Sequence, residues 1–464
     1  MKLFDDEKTD RRFSRMQWRM LFATMIGYTL FYFMRKNFSF AMPGLQQDCG
    51  ISKSMLGTFL FWGGIVYGLS KFVNGIVGDK VAPRKMLCFG LLACAAVNVA
   101  FGFAPQIAAL FGYDAAGAAD AAMPLVWTFG LLLVLNQFFQ GTGFPPCAKL
   151  IAFWIPPKEL ATKMSVWNTS HSVGGGLVAK ICGVVMGLGV IGSANQGVGM
   201  WRWCFWSMAA FGFLGLVLML LWLPGTPKEE GLPDLPGTEA PRAGIREAGG
   251  GAVSSATRDS AMRMVFLNPV IWMLGLTNFA INAVRALVAD WGPTMLQEAK
   301  GFDPGETGTV IMLFEFAGIG GMLFAGWATD RFFGGRAPRL CVFLMALTAA
   351  FVALFWFVPP GMVGAAALCA GGFCLYGPQA LTGVTATNIA TKGFAGTAIG
   401  FISLFSYIGV SVAGKVCGNL AQSSGGWRLP LLVMVATAAV GAVLFACLWG
   451  ARANAYAPSD DRRE

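Results

Sequence analysis

Histidine and charged residues are scarce in this sequence of 464 residues. The chain has a single histidine, His171, and only 12% of its residues are charged, about half the share found in a typical soluble domain. One histidine cannot form a metal site that needs several imidazole ligands. Cys-x-x-Cys pairs, Ser-His-Asp arrangements and phosphate-binding P-loops are also missing from suitable positions. We therefore expect no metal, no cofactor and no enzymatic activity.

Apolar residues fill the chain instead and make up 56% of it. Lipid accepts this much apolar surface, whereas a single water-soluble core could not bury it. Runs of about 20 apolar residues predict about twelve spans, which begin near Leu21, Met55, Met86, Met123, Thr162, Trp201, Pro269, Thr307, Arg339, Gly361, Phe394 and Trp427. No cleavable signal peptide is expected, because the segment before Trp18 is charged. The eleven cysteines lie mostly within the spans and are interpreted as packing residues.

The net charge of +10 is concentrated in alternate loops. These basic residues are Arg11, Arg12, Arg15, Lys80, Arg84, Lys85, Lys149, Lys158, Lys163, Arg331, Arg336 and Arg339. The other loops contain little more than Lys53 and Lys300. Because basic loops stay on the cytoplasmic side of a membrane, both termini are expected in the cytoplasm. The positive net charge is thus explained by the orientation of the chain in the membrane. Nucleic-acid binding is not expected.

Between Gly225 and Arg263 the sequence becomes rich in Gly, Pro, Ser and mixed charge, as expected of a flexible linker. This segment separates six predicted spans from six. The predicted organisation is a cytoplasmic tail (1–17), a six-helix bundle (18–224), a cytoplasmic linker (225–265), a second six-helix bundle (266–450) and a cytoplasmic tail (451–464).

The two halves repeat each other. The stretch "GIVGDKVAPRK" after span two matches "GWATDRFFGGRAPR" after span eight, so that Asp79 and Asp330 correspond. Other equivalent pairs are Arg35 with Arg285, and Lys180 in "AKICG" with Lys415 in "GKVCG". Parallel repeats of six spans describe the major facilitator architecture. The sequence therefore predicts an all-α membrane protein of twelve helices with pseudo-two-fold symmetry, and the repeated loop signature predicts gating at its cytoplasmic face.

Positive charge exceeds negative charge inside the predicted spans. Four cations lie there, Arg35, Lys36, Lys71 and Arg285, against two acids, Asp290 and Glu315. An arginine at the centre of a membrane helix costs about 3 kcal/mol on insertion scales. Even if both acids are paired, two positive charges remain, and a dianion would balance them. Because arginine presents a planar fork of donors, one arginine from each half predicts a clamp on a phosphate-bearing ligand. The alternative is that a cation only neutralises a buried carboxylate.

Other polar residues within the spans fit the same ligand. They are Tyr28, Tyr32, Tyr67, His171, Tyr376 and Tyr407. Tyr28, Tyr32 and Arg35 share one helix face because they are four and three residues apart. Tyrosines in this arrangement either line a passage or only pack. The unperturbed pKa of imidazole, about 6.5, is close to the second pKa of a phosphate ester, about 6. His171 therefore either binds the ligand or is a core imidazole bonded to a carbonyl.

Several stretches together resemble the organophosphate:phosphate antiporters of the major facilitator superfamily over nearly the whole chain: "GYTLFYFMRKNFSFAMP", "YGLSKFVNGIVGD", "QGTGFPPCAK", "SVWNTSHSVGGG", "VRALVADWGP", "FEFAGIGGMLFAGWATDRFF" and "YGPQALTG". The resemblance implies exchange of a phosphorylated metabolite for inorganic phosphate. It implies substrate arginines at Arg35 and Arg285, a substrate histidine at His171, pore residues at Tyr28, Tyr32, Tyr67 and Lys71, and a further site residue at Asn168. It also implies a rearranging salt-bridge set of Lys36, Asp290 and Glu315.

The second half is most similar to the hexose-phosphate branch of that family. We therefore expect a monomer in the bacterial inner membrane that exchanges glucose 6-phosphate, or a similar hexose phosphate, for inorganic phosphate. Alternatives are an antiporter of glycerol 3-phosphate or another organophosphate, and a membrane sensor of external hexose phosphate that signals to a histidine kinase. A proton-coupled transporter of neutral sugars or drugs is disfavoured, because the acids at depth have candidate partners. Lys180 and Lys415 either snorkel to the outer headgroups or gather anions at the outer mouth.

Overall fold

A computed structural model describes residues 6–114, 123–192, 199–233, 235 and 265–451 of the chain. These residues form fourteen α-helices and no strand. The helices are α1 (Glu7–Cys49), α2 (Lys53–Lys80), α3 (Pro83–Gly102), α4 (Ala104–Ala109), α5 (Met123–Gln140), α6 (Phe144–Trp154), α7 (Pro157–Gly192), α8 (Trp201–Trp222), α9 (Pro269–Lys300), α10 (Pro304–Phe333), α11 (Ala337–Phe357), α12 (Met362–Ile389), α13 (Thr391–Ser423) and α14 (Arg428–Cys447). Most of the predicted linker, the C-terminal tail from residue 452 and residues 1–5 of the N-terminal tail lie outside the described residues.

Each of the twelve predicted spans falls on a helix. Within the part of the chain that the structure describes, ten segments are long and apolar enough to cross a membrane, with α5 and α6 counted together as Met123–Trp154. Helices α1 and α12 are not among the ten. The middle of α1 contains Arg35 and Lys36, and the apolar content of α12 is diluted by glycine and polar residues. These two helices have 43 and 28 residues, so both are long enough to span a bilayer.

The helices divide into two compact units. Unit 1 contains Met1–Cys49 and Val66–Val253, and unit 2 contains Gly50–Ile65 and Ser254–Glu464. In unit 1, α1 packs against α7 and α8, and α3 packs against α8. In unit 2, α9 packs against α13 and α14, and α11 packs against α14. The same pairings thus recur between equivalent helices, as the repeated sequence motifs predict.

A proline inside the helix follows each of the two repeated arginines. Pro43 lies within α1 and Pro293 lies within α9, and each is eight residues beyond its arginine (43 − 35 and 293 − 285). Proline has no N–H group, so it leaves the carbonyl four residues earlier without its helical donor and favours a bend there. The two halves therefore share an internal proline at the same distance beyond Arg35 and Arg285.

Glycines bring α10 and α12 into close contact within unit 2. A Cβ atom added to Gly321 would lie 1.9 Å from the carbonyl oxygen of Phe373, and one added to Gly318 would lie 2.7 Å from the ring of Tyr376. Small residues allow membrane helices to approach backbone to backbone. This contact fixes the ring of Tyr376, which is fully buried.

The first residues after α8 fold back onto unit 1. The indole Nε1 of Trp154 donates a 2.8 Å hydrogen bond to the carbonyl of Gly225, and Arg12 donates to the carbonyl of Glu230 at 3.0 Å. Leu232 and Leu235 are buried. We call residues 223–233 and 235 the docked turn. The segment predicted to be a flexible linker from Gly225 onward therefore begins with ordered residues.

Candidate functional site

Arg35 lies between two tyrosine rings in unit 1. Its guanidinium carbon is 4.1 Å from the ring centroid of Tyr32 and 4.6 Å from that of Tyr67. Tyr67 also hydrogen-bonds Arg35 and Tyr28. The negative faces of aromatic rings stabilise a cation that has lost part of its water shell. The three tyrosines are each less than a tenth exposed, and the rings of Tyr32 and Tyr67 hold the guanidinium of the half-buried Arg35.

Lys71 extends this cluster along α2. Its ammonium nitrogen is 4.5 Å from the ring centroid of Phe144 and 5.7 Å from that of Tyr67. Phe144 in turn packs edge-on against Trp167 with centroids 5.8 Å apart. Phe144 and Trp167 are not among the site residues predicted from the sequence. Their apolar side chains give no signal of a binding role, because such residues in a membrane helix usually only pack.

His171 lies beside the same aromatic residues, with its ring centroid 6.0 Å from that of Tyr32. Its Nδ1 atom hydrogen-bonds the carbonyl oxygen of Asn168, one turn earlier on α7. Because a carbonyl oxygen can only accept, Nδ1 carries the hydrogen. The other nitrogen, Nε2, is then an acceptor in the neutral ring and a donor in the imidazolium. The neutral ring can therefore accept a hydrogen bond from a protonated phosphate, and the imidazolium can donate one to a dianionic phosphate.

The apolar spans of unit 1 contain no acidic residue. Between Gln17 and Gln47 in α1, and between Met55 and Gly78 in α2, every charged side chain is basic: Arg19, Arg35, Lys36 and Lys71. A cation embedded in a membrane is expensive on insertion scales. This part of the molecule thus concentrates positive charge at depth and favours an anionic ligand.

In unit 2, Arg285 bonds two other polar side chains, Glu315 and Tyr376. Its Nη2 atom lies 3.2 Å from Oε1 of Glu315, and its Nε donates to the Tyr376 hydroxyl at 2.7 Å. The Tyr376 hydroxyl donates to Oε2 of Glu315 at 2.5 Å. The side chains of Arg285 and Glu315 are 13% and 4% exposed. A buried ion pair of this kind is stabilised only when its remaining lone pairs and protons are satisfied, and the tyrosine hydroxyl satisfies one guanidinium proton and one carboxylate oxygen.

The remaining predicted site residues have different surroundings. Lys36 is half-buried next to Arg35, and Asp290 is buried five residues beyond Arg285 on α9. Tyr407 lies half-buried on α13, whereas Asp330 is exposed at the end of α10. The side chain of Asp79 lies outside the described residues.

Lys415 occupies a tight contact between α13 and the first part of α2, all within unit 2. Its Nζ donates to the Thr58 hydroxyl at 2.9 Å. A Cβ atom on Gly57 would lie 2.9 Å from the carbonyl of Gly414 and 3.2 Å from Cα of Lys415. Nearby, Lys53 forms a 2.9 Å salt bridge with Glu298. Lys180, its counterpart in unit 1, is half-buried on α7.

A buried amide network stabilises α1 behind Arg35. Asn37 donates to the side chain of Asn98 at 2.7 Å, and Asn136 donates to the carbonyl of Met34 at 2.8 Å. Gln140 donates to the carbonyl of Phe31 at 2.9 Å. Hydrogen bonds between helices hold membrane bundles together. Amides inside apolar spans are the sequence signal for this network, but their partners cannot be assigned without the packing.

Comparison with known proteins identifies the family. The sequence pattern of the Major Facilitator Superfamily matches residues 24–414. The chain belongs to this superfamily. Its fold is the twelve-helix fold of the superfamily, and a solved member with the same fold is an inward-facing bacterial homologue of the human lysosomal transporter Spinster. That structure has a TM-score of 0.73, 16% identity, and coverage of 94% of this chain and 97% of its own.

Relatives in the superfamily are similar along almost the whole chain. The glycerol-3-phosphate transporter of Bacillus subtilis is 32% identical, covering 96% of this chain and 95% of the relative. A probable hexose phosphate transport protein of Chlamydia trachomatis is also 32% identical, with coverage of 97% and 94%. The membrane sensor protein UhpC of Escherichia coli is 33% identical, with coverage of 88% and 87%. The resemblance noted in the sequence is therefore confirmed.

Proposed function

We propose that the protein exchanges a sugar phosphate, with glucose 6-phosphate or another hexose 6-phosphate as the preferred substrate, for inorganic phosphate. Exchange occurs by alternating access in the cytoplasmic membrane of a bacterium, with both termini in the cytoplasm. The observation that carries the proposal is Arg35, held between Tyr32 and Tyr67 in a unit whose spans contain no acid. A phosphate dianion is the ligand that neutralises this arrangement.

The two arginines have different roles in this proposal. Arg35 and Lys71 supply the standing positive charge that attracts the phosphate. Arg285 is already paired with Glu315, so a phosphate that binds Arg285 competes with that carboxylate. The competition gives the ligand a differential interaction with two arrangements of the same side chains, which is what a ligand needs to shift a conformational equilibrium.

His171 adjusts the site to the charge of the phosphate. Nδ1 is engaged by the carbonyl of Asn168, so a ligand that binds His171 would bind at Nε2. Inorganic phosphate and phosphate esters both exist as monoanions and dianions near neutral pH. A group that accepts in one form and donates in the other binds both exchange partners.

The relatives support the phosphate class and leave two candidate organophosphates. One relative is named a glycerol-3-phosphate transporter and another a hexose phosphate transport protein. Purified protein in liposomes loaded with labelled phosphate distinguishes them. External hexose 6-phosphate should release the label at concentrations at least about tenfold lower than glycerol 3-phosphate or phosphoglycerate require.

Liposomes without protein, and an ionophore that collapses proton gradients, serve as controls for this assay. The release should persist with the ionophore, because exchange of two phosphates needs no proton gradient. A complete absence of phosphate release with every organophosphate, despite binding, would overturn the proposed exchange.

A sensor is the second candidate function, because the UhpC sensor protein is a relative of similar identity. A sensor binds external hexose phosphate and signals to a histidine kinase. Its binding residues can be the same as those of a carrier. Binding without exchange in the liposome assay therefore favours the sensor.

We predict that Lys180 and Lys415 gather anions before they reach the site. Replacing both with methionine should raise the apparent KM about threefold to tenfold at low ionic strength. The difference in apparent KM between the variant and the unmodified protein should vanish near 1 M salt, where the Debye length is only about 3 Å. Initial rates at a series of salt concentrations measure this effect. Thr58→Val is the matched control, because it removes the hydrogen bond of Lys415 without removing charge; an equal defect in that variant indicates a packing role instead.

A further inference from the structure

Helix α9 presents two asparagines on the face that carries Arg285. Asn278, Asn282 and Arg285 are separated by four and three residues, so their side chains project from one side of the helix. Both asparagines are 7% exposed. Neither is explained by binding of the phosphate group, since an uncharged amide adds little to the recognition of a dianion by arginine.

The amide of Asn282 has a fixed orientation. Its Nδ2 atom donates to the carbonyl of Asn278 at 2.8 Å and to Oδ1 of Asn278 at 3.0 Å. It also donates to the hydroxyl of Ser406 on α13 at 3.1 Å. A backbone carbonyl can only accept, so the atom that faces it must be the nitrogen. Asn278 is held in turn by its own donation to the carbonyl of Ile402 at 2.9 Å.

This orientation leaves one acceptor and one donor unused. The Oδ1 atom of Asn282 accepts no hydrogen bond from any residue that the structure describes. The hydroxyl of Ser406 accepts from Asn282, and its own hydrogen is donated to no described residue. Asn282 is 7% exposed and Ser406 is half-buried, and polar groups with little access to water are normally paired. The pair Asn282 and Ser406 thus presents an acceptor next to a donor.

We propose that Asn282 and Ser406 form a subsite for a hydroxyl group of the phosphorylated substrate. A hydroxyl group is both a donor and an acceptor; it donates to Oδ1 of Asn282 and accepts from the Ser406 hydroxyl. The inference rests on the proposed function and makes it more specific. It assigns to unit 2 the recognition of a polyhydroxy phosphate, and it makes these two side chains specificity determinants.

The spacing along α9 suits such a ligand. Asn282 precedes Arg285 by three residues, which is about 4.5 Å along the helix axis. A hexose phosphate carries hydroxyl groups at this distance from its phosphorus and beyond. Inorganic phosphate reaches Arg285 alone. The subsite therefore contacts the sugar phosphate and does not contact inorganic phosphate.

Analogues of the substrate that each lack one hydroxyl group provide the test. Release of labelled phosphate from liposomes is measured for Asn282→Ala and Ser406→Ala with hexose 6-phosphate and with its series of monodeoxy derivatives. In the unmodified protein one deoxy derivative should be about tenfold weaker than the parent, the loss expected for a hydroxyl with two hydrogen bonds. The Asn282→Ala variant should lose this discrimination, so that parent and derivative become equally weak.

Ser403→Ala is the matched control, since Ser403 lies one turn earlier on α13 and bonds the carbonyl of Ile399 on its own helix. It should keep full discrimination. If Asn282→Ala weakens the parent and every derivative by the same factor, the residue acts through packing or a bound water, and the subsite is wrong.

Failure of the subsite and failure of the exchange function can be told apart. Thermal stabilisation of the detergent-solubilised protein by hexose 6-phosphate reports binding without transport. Stabilisation that Asn282→Ala reduces and Ser403→Ala preserves supports the subsite even if no exchange occurs. Exchange with unaltered discrimination in Asn282→Ala overturns the subsite and leaves the exchange function standing.

Discussion

Arg35→Lys and Arg285→Lys are each expected to lower the rate of phosphate exchange at least about hundredfold. Lysine keeps the charge but loses the planar fork of donors that binds a phosphate through two oxygens. At Arg35 it also loses the flat surface that stacks on Tyr32 and Tyr67. Small displacements of a charged ligand carry rate penalties of this size. Exchange in liposomes at equal protein content measures the effect.

Arg202→Lys is the matched control for these variants. Arg202 stacks on Trp201 with its guanidinium carbon 5.3 Å from the ring centroid, but it bonds the carbonyl of Gly102 near the end of α3. It should exchange phosphate at close to the normal rate. If both site variants also retain near-normal rates, bidentate binding by arginine is not how the phosphate is recognised.

Glu315→Gln is expected to tighten the binding of substrate and slow its turnover, each by about tenfold. The carboxylate of Glu315 competes with the phosphate for Arg285, since it lies 3.2 Å from the guanidinium. Glu315→Gln removes the negative charge of this competitor from beside the guanidinium. Removal of one member of a buried pair is strongly destabilising, so a bound anion should stabilise this variant more than the unmodified protein. Exchange kinetics and ligand-induced shifts in Tm measure both parts.

Tyr376→Phe provides the comparison for Glu315→Gln. It removes the hydroxyl that links Arg285 to Glu315 but leaves both charges in place. Its substrate affinity should change by less than that of Glu315→Gln. A Glu315→Gln variant with weaker binding and unaltered turnover would mean that the carboxylate assists the ligand and does not compete with it.

The sequence predicts the face of a helix on which a residue lies, and the order of the helices, better than it predicts contacts between side chains on different helices. Helical spacing alone puts Tyr28, Tyr32 and Arg35 on one face of α1, and the structure places Tyr32 against the guanidinium. Length and apolar content predict the spans, and the repeated motifs predict equivalent helices in the two halves. These inferences need only the geometry of one helix or the comparison of two segments.

Contacts between distant segments could not be predicted from the residues. The resemblance assigns Glu315 to a salt-bridge set with Lys36 and Asp290, which stays a prediction. The structure adds a direct contact of 3.2 Å between Glu315 and Arg285, and the Tyr376 hydroxyl bonds both side chains. That pairing depends on the approach of α10 to α12, which Gly318 and Gly321 permit. Asn282 and Ser406 are 124 residues apart, and no local pattern links them. The roles of the predicted site residues and of the salt-bridge set stay predictions.

The docked turn after α8 determines where the polypeptide can be divided. A break directly after Trp222 would deprive the Trp154 indole of its acceptor on Gly225 and would remove Leu232 and Leu235 from the surface that buries them. Exposed leucines and an orphaned indole are liabilities for a separately synthesised N-terminal half. That fragment should therefore extend through Leu235, and sequence tags or fusion partners belong beyond it.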